Sequence, residues 1–176
     1  MYLRASLIAS APKPLIVMTP KSLLRHPSAT STFEDLVSGE FQLVIENANS
    51  HDIDRVVLCS GKVYYDLLAA RTEYKKENVA LVRVEQLYPF PVAEVKDVLK
   101  KYQNVHDIVW CQEEPQNQGA WFCMHHSFKE CLQPGQTLQY AGRSPSASTA
   151  VGYVSMHKKQ QTALINDALK NTCKGD

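Results

Sequence analysis

The sequence predicts a three-layer α/β/α sandwich on a mostly parallel sheet of about five strands. Three observations carry this. The runs Val56 to Cys59, Val79 to Val84 and Ile108 to Cys111 are almost continuously apolar, as strands buried on both faces must be. Between and after them, apolar residues recur at helical spacing: Val63, Leu67 and Ala70, then Val92, Val95 and Leu99. Such strand–helix units imply parallel strands with right-handed crossovers and helices on both faces.

Each element has its own signature. Leu15 to Met18 is a short β-branched run, expected as a strand and ended by Thr19-Pro20. Ser22 to Arg25 suits one helical turn. Thr32, with Asp35 three residues on, is close to a capping box and predicts a short helix closed by Gly39. Phe41, Leu43 and Ile45 alternate with polar residues, the pattern of a half-exposed strand. The helix after Cys59 is expected over 63–76. Ala120 to Leu132 places Trp121, His125, Phe128 and Leu132 in one row before Pro134 and Gly135 stop it. Leu138 to Ala141 is a short strand, 142–152 a Ser/Pro/Ala-rich loop, and 155–170 a final helix carrying Leu164, Ile165, Ala168 and Leu169.

Composition excludes several function classes. Among 176 residues, 19 Lys and Arg face 18 Asp and Glu, so no basic footprint for nucleic acid or an anionic membrane emerges. No apolar run approaches the roughly 20 residues that span a bilayer. The five cysteines, Cys59, Cys111, Cys123, Cys131 and Cys173, are odd in number and form no CxxC pair, which fits a reducing, cytoplasmic setting. Met1 to Pro12 carries Arg4, Leu7-Ile8 and small residues, too little for a signal peptide, and is expected as a disordered leader. The domain is expected over 13–170, with 171–176 as a tail.

The stretch Gln112 to Trp121 (QEEPQNQGAW) is the strongest functional candidate. An apolar run stops at Glu113-Glu114, and Pro115 blocks helix continuation. Amides, Gly119 and Trp121 then lead into the next helix. Open α/β sheets bind ligands at such strand–helix junctions. Adjacent carboxylates on extended backbone point to opposite faces, so Glu113 and Glu114 are not expected to act jointly as acid and base. Gln112, Glu113, Glu114, Asn117, Gln118, Gly119 and Trp121 are instead expected as a docking loop, with an exposed Trp121 anchoring a dimer contact. Ser60-Gly61-Lys62, at a strand-to-helix turn, could hold an anion with Lys21, Arg25 and Arg143, and Arg83 is a further cation at an element end. A tight turn and solvated surface cations explain the same residues. Cys123, His125, His126 and Cys131 share one helix but do not offer four converging zinc ligands. His125 is expected in the core and His126 in solvent. Cys59 and Cys111 read as small buried hydrophobes. No P-loop, nucleophile elbow or metal set is visible.

Five stretches resemble one family: Lys13 to His26 (KPLIVMTPKSLLRH), Cys59 to Asp66 (CSGKVYYD), Arg83 to Pro91 (RVEQLYPFP), Trp110 to Trp121 (WCQEEPQNQGAW) and Tyr140 to Arg143 (YAGR). In that order they resemble the carboxyl-terminal region of the thiamine-diphosphate-dependent first component of the 2-oxoglutarate dehydrogenase complex, from Lys13 to Leu169. The resemblance implies a transketolase C-terminal-like domain that helps build a homodimer. In the family, upstream domains hold thiamine diphosphate and magnesium. The full enzyme decarboxylates 2-oxoglutarate and passes a succinyl group to the lipoyl arm of the second component, with a third component completing the complex. Neither the diphosphate motif nor the upstream histidines are in this sequence. The expectation is therefore a truncated product or isolated domain that binds no cofactor, has no catalytic residue and is inactive alone. It would lie in the cytoplasm, or in the mitochondrial matrix if eukaryotic. A regulatory module binding a nucleotide or acyl-coenzyme A is the alternative.

Overall fold

The computed structural model describes Ile16 and residues 18–170. The expected leader (1–12) and tail (171–176) lie outside the described residues, as do Leu15 and Val17 of the expected first strand. Ile16 and Met18 belong to no strand. The chain divides into two units, 1–42 and 43–176.

In the first unit, Lys21–Arg25 forms a 3-10 turn after Pro20. Helix α1, Phe33–Val37, begins at the capping box read from sequence. The Thr32 hydroxyl accepts from the Asp35 amide, and the Asp35 carboxylate accepts from the Thr32 amide at 2.8 Å. Phe33 and Val37 are exposed on it.

The second unit runs β1 (Val44–Asn47), β2 (Arg55–Cys59), α2 (Val63–Glu73), β3 (Val79–Val84), α3 (Val92–Lys101), β4 (Asp107–Pro115), α4 (Trp121–Cys131), β5 (Thr137–Arg143) and α5 (Val154–Ala168). The strand order is β1-β3-β2-β4-β5. The last four pair in parallel, and β1 pairs antiparallel with β3. This is the expected α/β/α sandwich with a mostly parallel sheet. The core has two layers. Val57, Cys59, Leu81, Val109 and Cys111 point to α2 and α5, where Leu67, Leu164 and Ala168 meet them. Val56, Leu58, Val82, Ile108 and Trp110 point to α3 and α4, against Val95, Leu99 and Phe128. The period-two alternation of each strand thus feeds two separate helical layers. Trp110 lies 4.7 Å from Phe128, ring centre to ring centre, and Phe90 meets Phe128 edge-on at 4.9 Å.

Beyond shifts of one or two residues at the ends of other elements, three elements differ from the expectation. The half-exposed strand lies at Val44–Asn47 rather than 41–45, because its register follows Val84 to Leu81 of β3. Helix α2 ends at Glu73, and Lys75 takes a positive φ of 54°. Strand β4 continues to Pro115 instead of stopping at Cys111. Its register against β5 shifts between Cys111 and Pro115, where Pro115 pairs Arg143. An irregular ladder is where a strand can carry proline.

The amino end of the sheet is held by buried arginines. Arg55, 3% exposed, donates to the Ala168 and Asp167 carbonyls at 2.7 and 3.1 Å and to the Asp107 carboxylate at 3.1 Å. A cation there complements the carboxyl end of α5. Arg71 donates to the Asn47 and Val79 carbonyls, tying α2 to β1 and β3. Replacing Arg55 with Met removes three hydrogen bonds at once and takes the donor from the Ala168 carbonyl, although Lys170 and Gln139 still reach the Asp107 carboxylate and the Lys170 amide still reaches the Asp167 carbonyl. The expected loss is about 3 kcal/mol, read as a lower urea midpoint; an unchanged midpoint would contradict this account. A hydrogen bond from Lys170 holds the Asp107 carboxyl below its ordinary value; burial opposes, and Arg55 adds to the lowering. A depressed carboxyl contributes stability above its unfolded value, and that part is lost as pH falls from about 4 through the folded value. Urea midpoints of the parent and of Asp107→Asn should therefore converge on acidification from neutral pH; a constant gap would refute it.

Candidate functional site

The parallel order of the sheet creates a crevice at its carboxyl end. From β2 the chain turns through Ser60-Gly61-Lys62 into α2 on one face. From β4 it turns through Gln116 to Ala120 into α4 on the other. Neighbouring strands β2 and β4 therefore send their helices to opposite faces, and open sheets bind ligands at such a switch point. A cavity of about 380 Å³ lies here. Trp110 and Gln112 form its buried floor. Tyr88, Glu114, Gly119 and Cys123 are its exposed rim.

Gln112, 3% exposed, organises this end. Its Oε1 accepts from Trp110 Nε1 at 2.8 Å and from the Trp121 amide, the first residue of α4, at 3.0 Å. Its Nε2 donates to the carbonyls of Glu114, Pro115 and Gln118 at 3.2, 3.2 and 2.8 Å. One amide thus closes the loop on itself and clamps it to both flanking elements. Gly119, at φ 66°, is required by this clamp, since a Cβ there would lie 3.0 Å from Gln112 Nε2 and 3.1 Å from Glu114 Oε2. Gly61 also has a positive φ, but its Cβ would meet nothing.

Glu113 and Glu114 diverge, as extended backbone dictates. Glu113 turns towards α2 and α5. Its carboxylate accepts from Lys62 at 2.9 Å and from Gln161 at 3.0 Å. Glu114 faces the crevice, and its carboxylate makes no hydrogen bond or ion pair with another described residue. The two share no target atom.

The other loop residues are largely engaged within the domain. Asn117 exchanges two hydrogen bonds with the Ser146 backbone, at 3.0 and 2.9 Å, and Gln118 donates to the Ser146 carbonyl at 3.1 Å. Trp121, expected to be exposed, is half-buried, with its ring 5.1 Å from Tyr140 and 5.2 Å from His125. Helical geometry turns it inwards and leaves Phe122, one position on, 64% exposed. His125, expected in the core, is half-buried at that edge.

Four of the six residues expected around an anion lie in this unit; of their two cations, Lys62 is paired with carboxylates, whereas Arg143 meets no carboxylate among the described residues and its buried Nε has no hydrogen-bond partner. Lys62 bonds Asp66 at 3.1 Å as well as Glu113. Burial would lower its ammonium, but these two carboxylates outweigh burial and raise it. Arg143 Nη2 reaches Gln161 Oε1 at 3.0 Å and His157 Nδ1 at 3.1 Å. It lines a separate hollow of about 460 Å³ with Ser144, Gln160 and Asp167, while Ser60 and Gly61 line the crevice. Arg83 stacks over the Tyr64 ring at 4.5 Å. Lys21 and Arg25 belong to the first unit and are exposed. Burial pushes the Cys59 thiol up to about 12, and Cys111, paired with it across β2 and β4, is raised by burial too. Neither is a thiolate nucleophile at neutral pH. Among the described residues, no three His, Cys, Asp or Glu side chains are placed to hold a metal.

Sequence reasoning missed Leu87, Tyr88, Cys123 and Met124 as crevice residues. Their signal was available for Leu87 and Tyr88, which follow β3 at the same carboxyl end.

The fold and crevice define a doubly wound domain of the transketolase C-terminal type. Comparison makes this particular: residues 30–169 match the 2-oxoglutarate dehydrogenase C-terminal family, and the chain belongs to that family. It is 52% identical over 170 residues to the 2-oxoglutarate dehydrogenase E1 component of Haemophilus influenzae, covering 95% of this chain. The corresponding proteins of Coxiella burnetii and Azotobacter vinelandii are 50% and 51% identical, over 96% and 94% of the chain. In all three the chain spans 18% of the relative's length.

Two substitutions test the clamp. Gln112→Leu strands the Trp110 indole, the Trp121 amide and the Gln118 carbonyl, with an expected loss of about 3 kcal/mol in urea unfolding. Gly119→Ala should cost more than Gly61→Ala. Both bear the positive-φ penalty of about 1 kcal/mol, but only the first also meets neighbouring side chains. Equal costs would mean that the clamp does not constrain the loop.

Proposed function

We propose that this chain is the terminal domain of a 2-oxoglutarate dehydrogenase first component, serving assembly rather than bond breaking. On this reading the whole protein decarboxylates 2-oxoglutarate and succinylates the lipoyl group of the second component. This part packs against upstream thiamine-binding domains and a second copy of itself. The observation that carries it is the match to E1 components along 95% of the chain and 18% of theirs. The crevice chemistry agrees. Among the described residues Glu114 is the only charged group lining it, and a carboxylate repels a diphosphate. The residues present do not fit thiamine diphosphate. Lys62 is already matched by Asp66 and Glu113, and Arg143 lies in a separate hollow, so the two cations do not converge on one site for a nucleotide- or acyl-coenzyme A-binding module. Among the described residues, no helix is long and apolar enough to cross a membrane. We place the domain in the cytoplasm, or in the matrix of a mitochondrion if its source is eukaryotic.

The test is complementation. The purified chain, supplied with thiamine diphosphate and magnesium, should not turn over 2-oxoglutarate. Co-expressed with the upstream region of the Haemophilus influenzae relative, it should co-purify in a particle with two copies of each piece by light scattering, and activity should appear. Turnover by the chain alone, or no association, would overturn the proposal.

A further inference from the structure

We propose that the crevice between the carboxyl ends of β2 and β4 is a socket for a basic side chain, an arginine or lysine presented by a neighbouring polypeptide segment. The inference rests on the assembly reading above and specifies its chemistry. Three features point to such an occupant. The Glu114 carboxylate stands on the rim without a cation among the described residues, whereas Glu113, its neighbour, is matched by Lys62. Beside the internally bonded Gln112 and the Ser60 hydroxyl, the lining is mostly apolar, with Trp110, Leu87, Ala120 and Met124 around a space of about 380 Å³. That suits the methylene stem of a long cationic side chain. Tyr88, 87% exposed on the rim, offers a ring face to the cation. A free anion is disfavoured by Glu114. A purely apolar occupant would bury that carboxylate unpaired, at a cost a cation removes.

Charge complementarity also says where the selectivity lies. The Gln112 clamp spends all the polar capacity of the floor within the domain, so little hydrogen-bonding specificity remains there. Glu114 is left to choose the partner by charge. Its backbone is held by the same clamp, because the Glu114 carbonyl accepts from Gln112 Nε2. The carboxylate is thus presented from a fixed position at little entropic cost.

The experiment is an amide-resolved NMR titration of the chain with n-butylguanidinium, with n-pentanamide as the neutral probe of similar shape. Butylguanidinium should shift the amides of Gly61, Tyr88 and Gly119 saturably in the millimolar range, and added salt should weaken binding. Pentanamide should shift them far less. Glu114→Gln should weaken guanidinium binding at least about tenfold, equivalent to 1.4 kcal/mol. Tyr88→Leu should weaken it to a smaller extent. The Glu114 carboxylate makes no hydrogen bond or ion pair with another described residue and Gln is of the same size, so its variant should keep a native spectrum. Equal shifts by both probes, no shifts, or unchanged affinity in Glu114→Gln would each overturn the socket. Association with the upstream region despite these results would leave the assembly reading standing; guanidinium binding without association would sink only that reading.

Discussion

A single buried amide governs the carboxyl end of this sheet. Gln112 accepts two donors and gives to three carbonyls, which saturates its side chain. Those partners come from β4 itself, from the loop and from the start of α4. Without the amide, the Trp110 indole, the Trp121 amide and the Gln118 carbonyl would lose their partner, at about 1–3 kcal/mol per orphaned group, while the Pro115 and Glu114 carbonyls would keep the Gln118 amide and the Tyr140 hydroxyl. The loop conformation is therefore a consequence of hydrogen-bond accounting. Gly119 follows from the same constraint. Gly142 has a different cause: a Cβ there would collide with the Tyr140 hydroxyl and sit 3.0 Å from the Gln112 backbone carbonyl.

The two ends of the sheet spend their polar groups differently. At the amino end, buried arginines cap α5 and tie down β1, and their donors are used on backbone carbonyls of other elements. That end is a joint. At the carboxyl end, the floor is satisfied internally while the rim keeps an unpaired carboxylate and two exposed aromatic residues nearby, Tyr88 and Phe122. Exposed aromatic residues cost solubility and give nothing back to folding. That cost is in keeping with the contact surface proposed above.

Much of this fold was legible because it rests on local periodicity. The continuous apolar strands and the Thr32 capping box need only a few adjacent residues to be recognised. The divergence of Glu113 and Glu114 needed only the alternation of extended backbone. What local pattern cannot show is pairing across the chain. Lys62 looks like a free cation until Glu113 arrives beside it, 51 positions later in sequence. Asn117 and Gln118 look like partner-facing amides until the Ser146 backbone consumes them. The apolar run ends at Cys111, yet β4 continues through Glu113 and Glu114 to Pro115 by a register shift against β5. Trp121 looked exposed because its helical phase depends on where α4 starts, and Gln112 fixes that start.

The same reasoning separates what holds the loop from what the loop offers. Residues can be conspicuous in sequence for either reason, and Gln112-Glu113-Glu114 contains both within three positions. Gln112 is spent on the loop, Glu113 on the helices beneath, and Glu114 on nothing described within the domain. Strand alternation sends Glu113 to one side and Glu114 to the other, so the two roles cannot be exchanged without shifting the register by one residue. A register slip would also move Trp110 away from Phe128 and expose the α3 and α4 layer of the core. The orientation of Glu114 into the crevice is thus secured by the packing of Trp110 four residues earlier. A surface group costs little by itself to reorient; this one is held by the hydrophobic core.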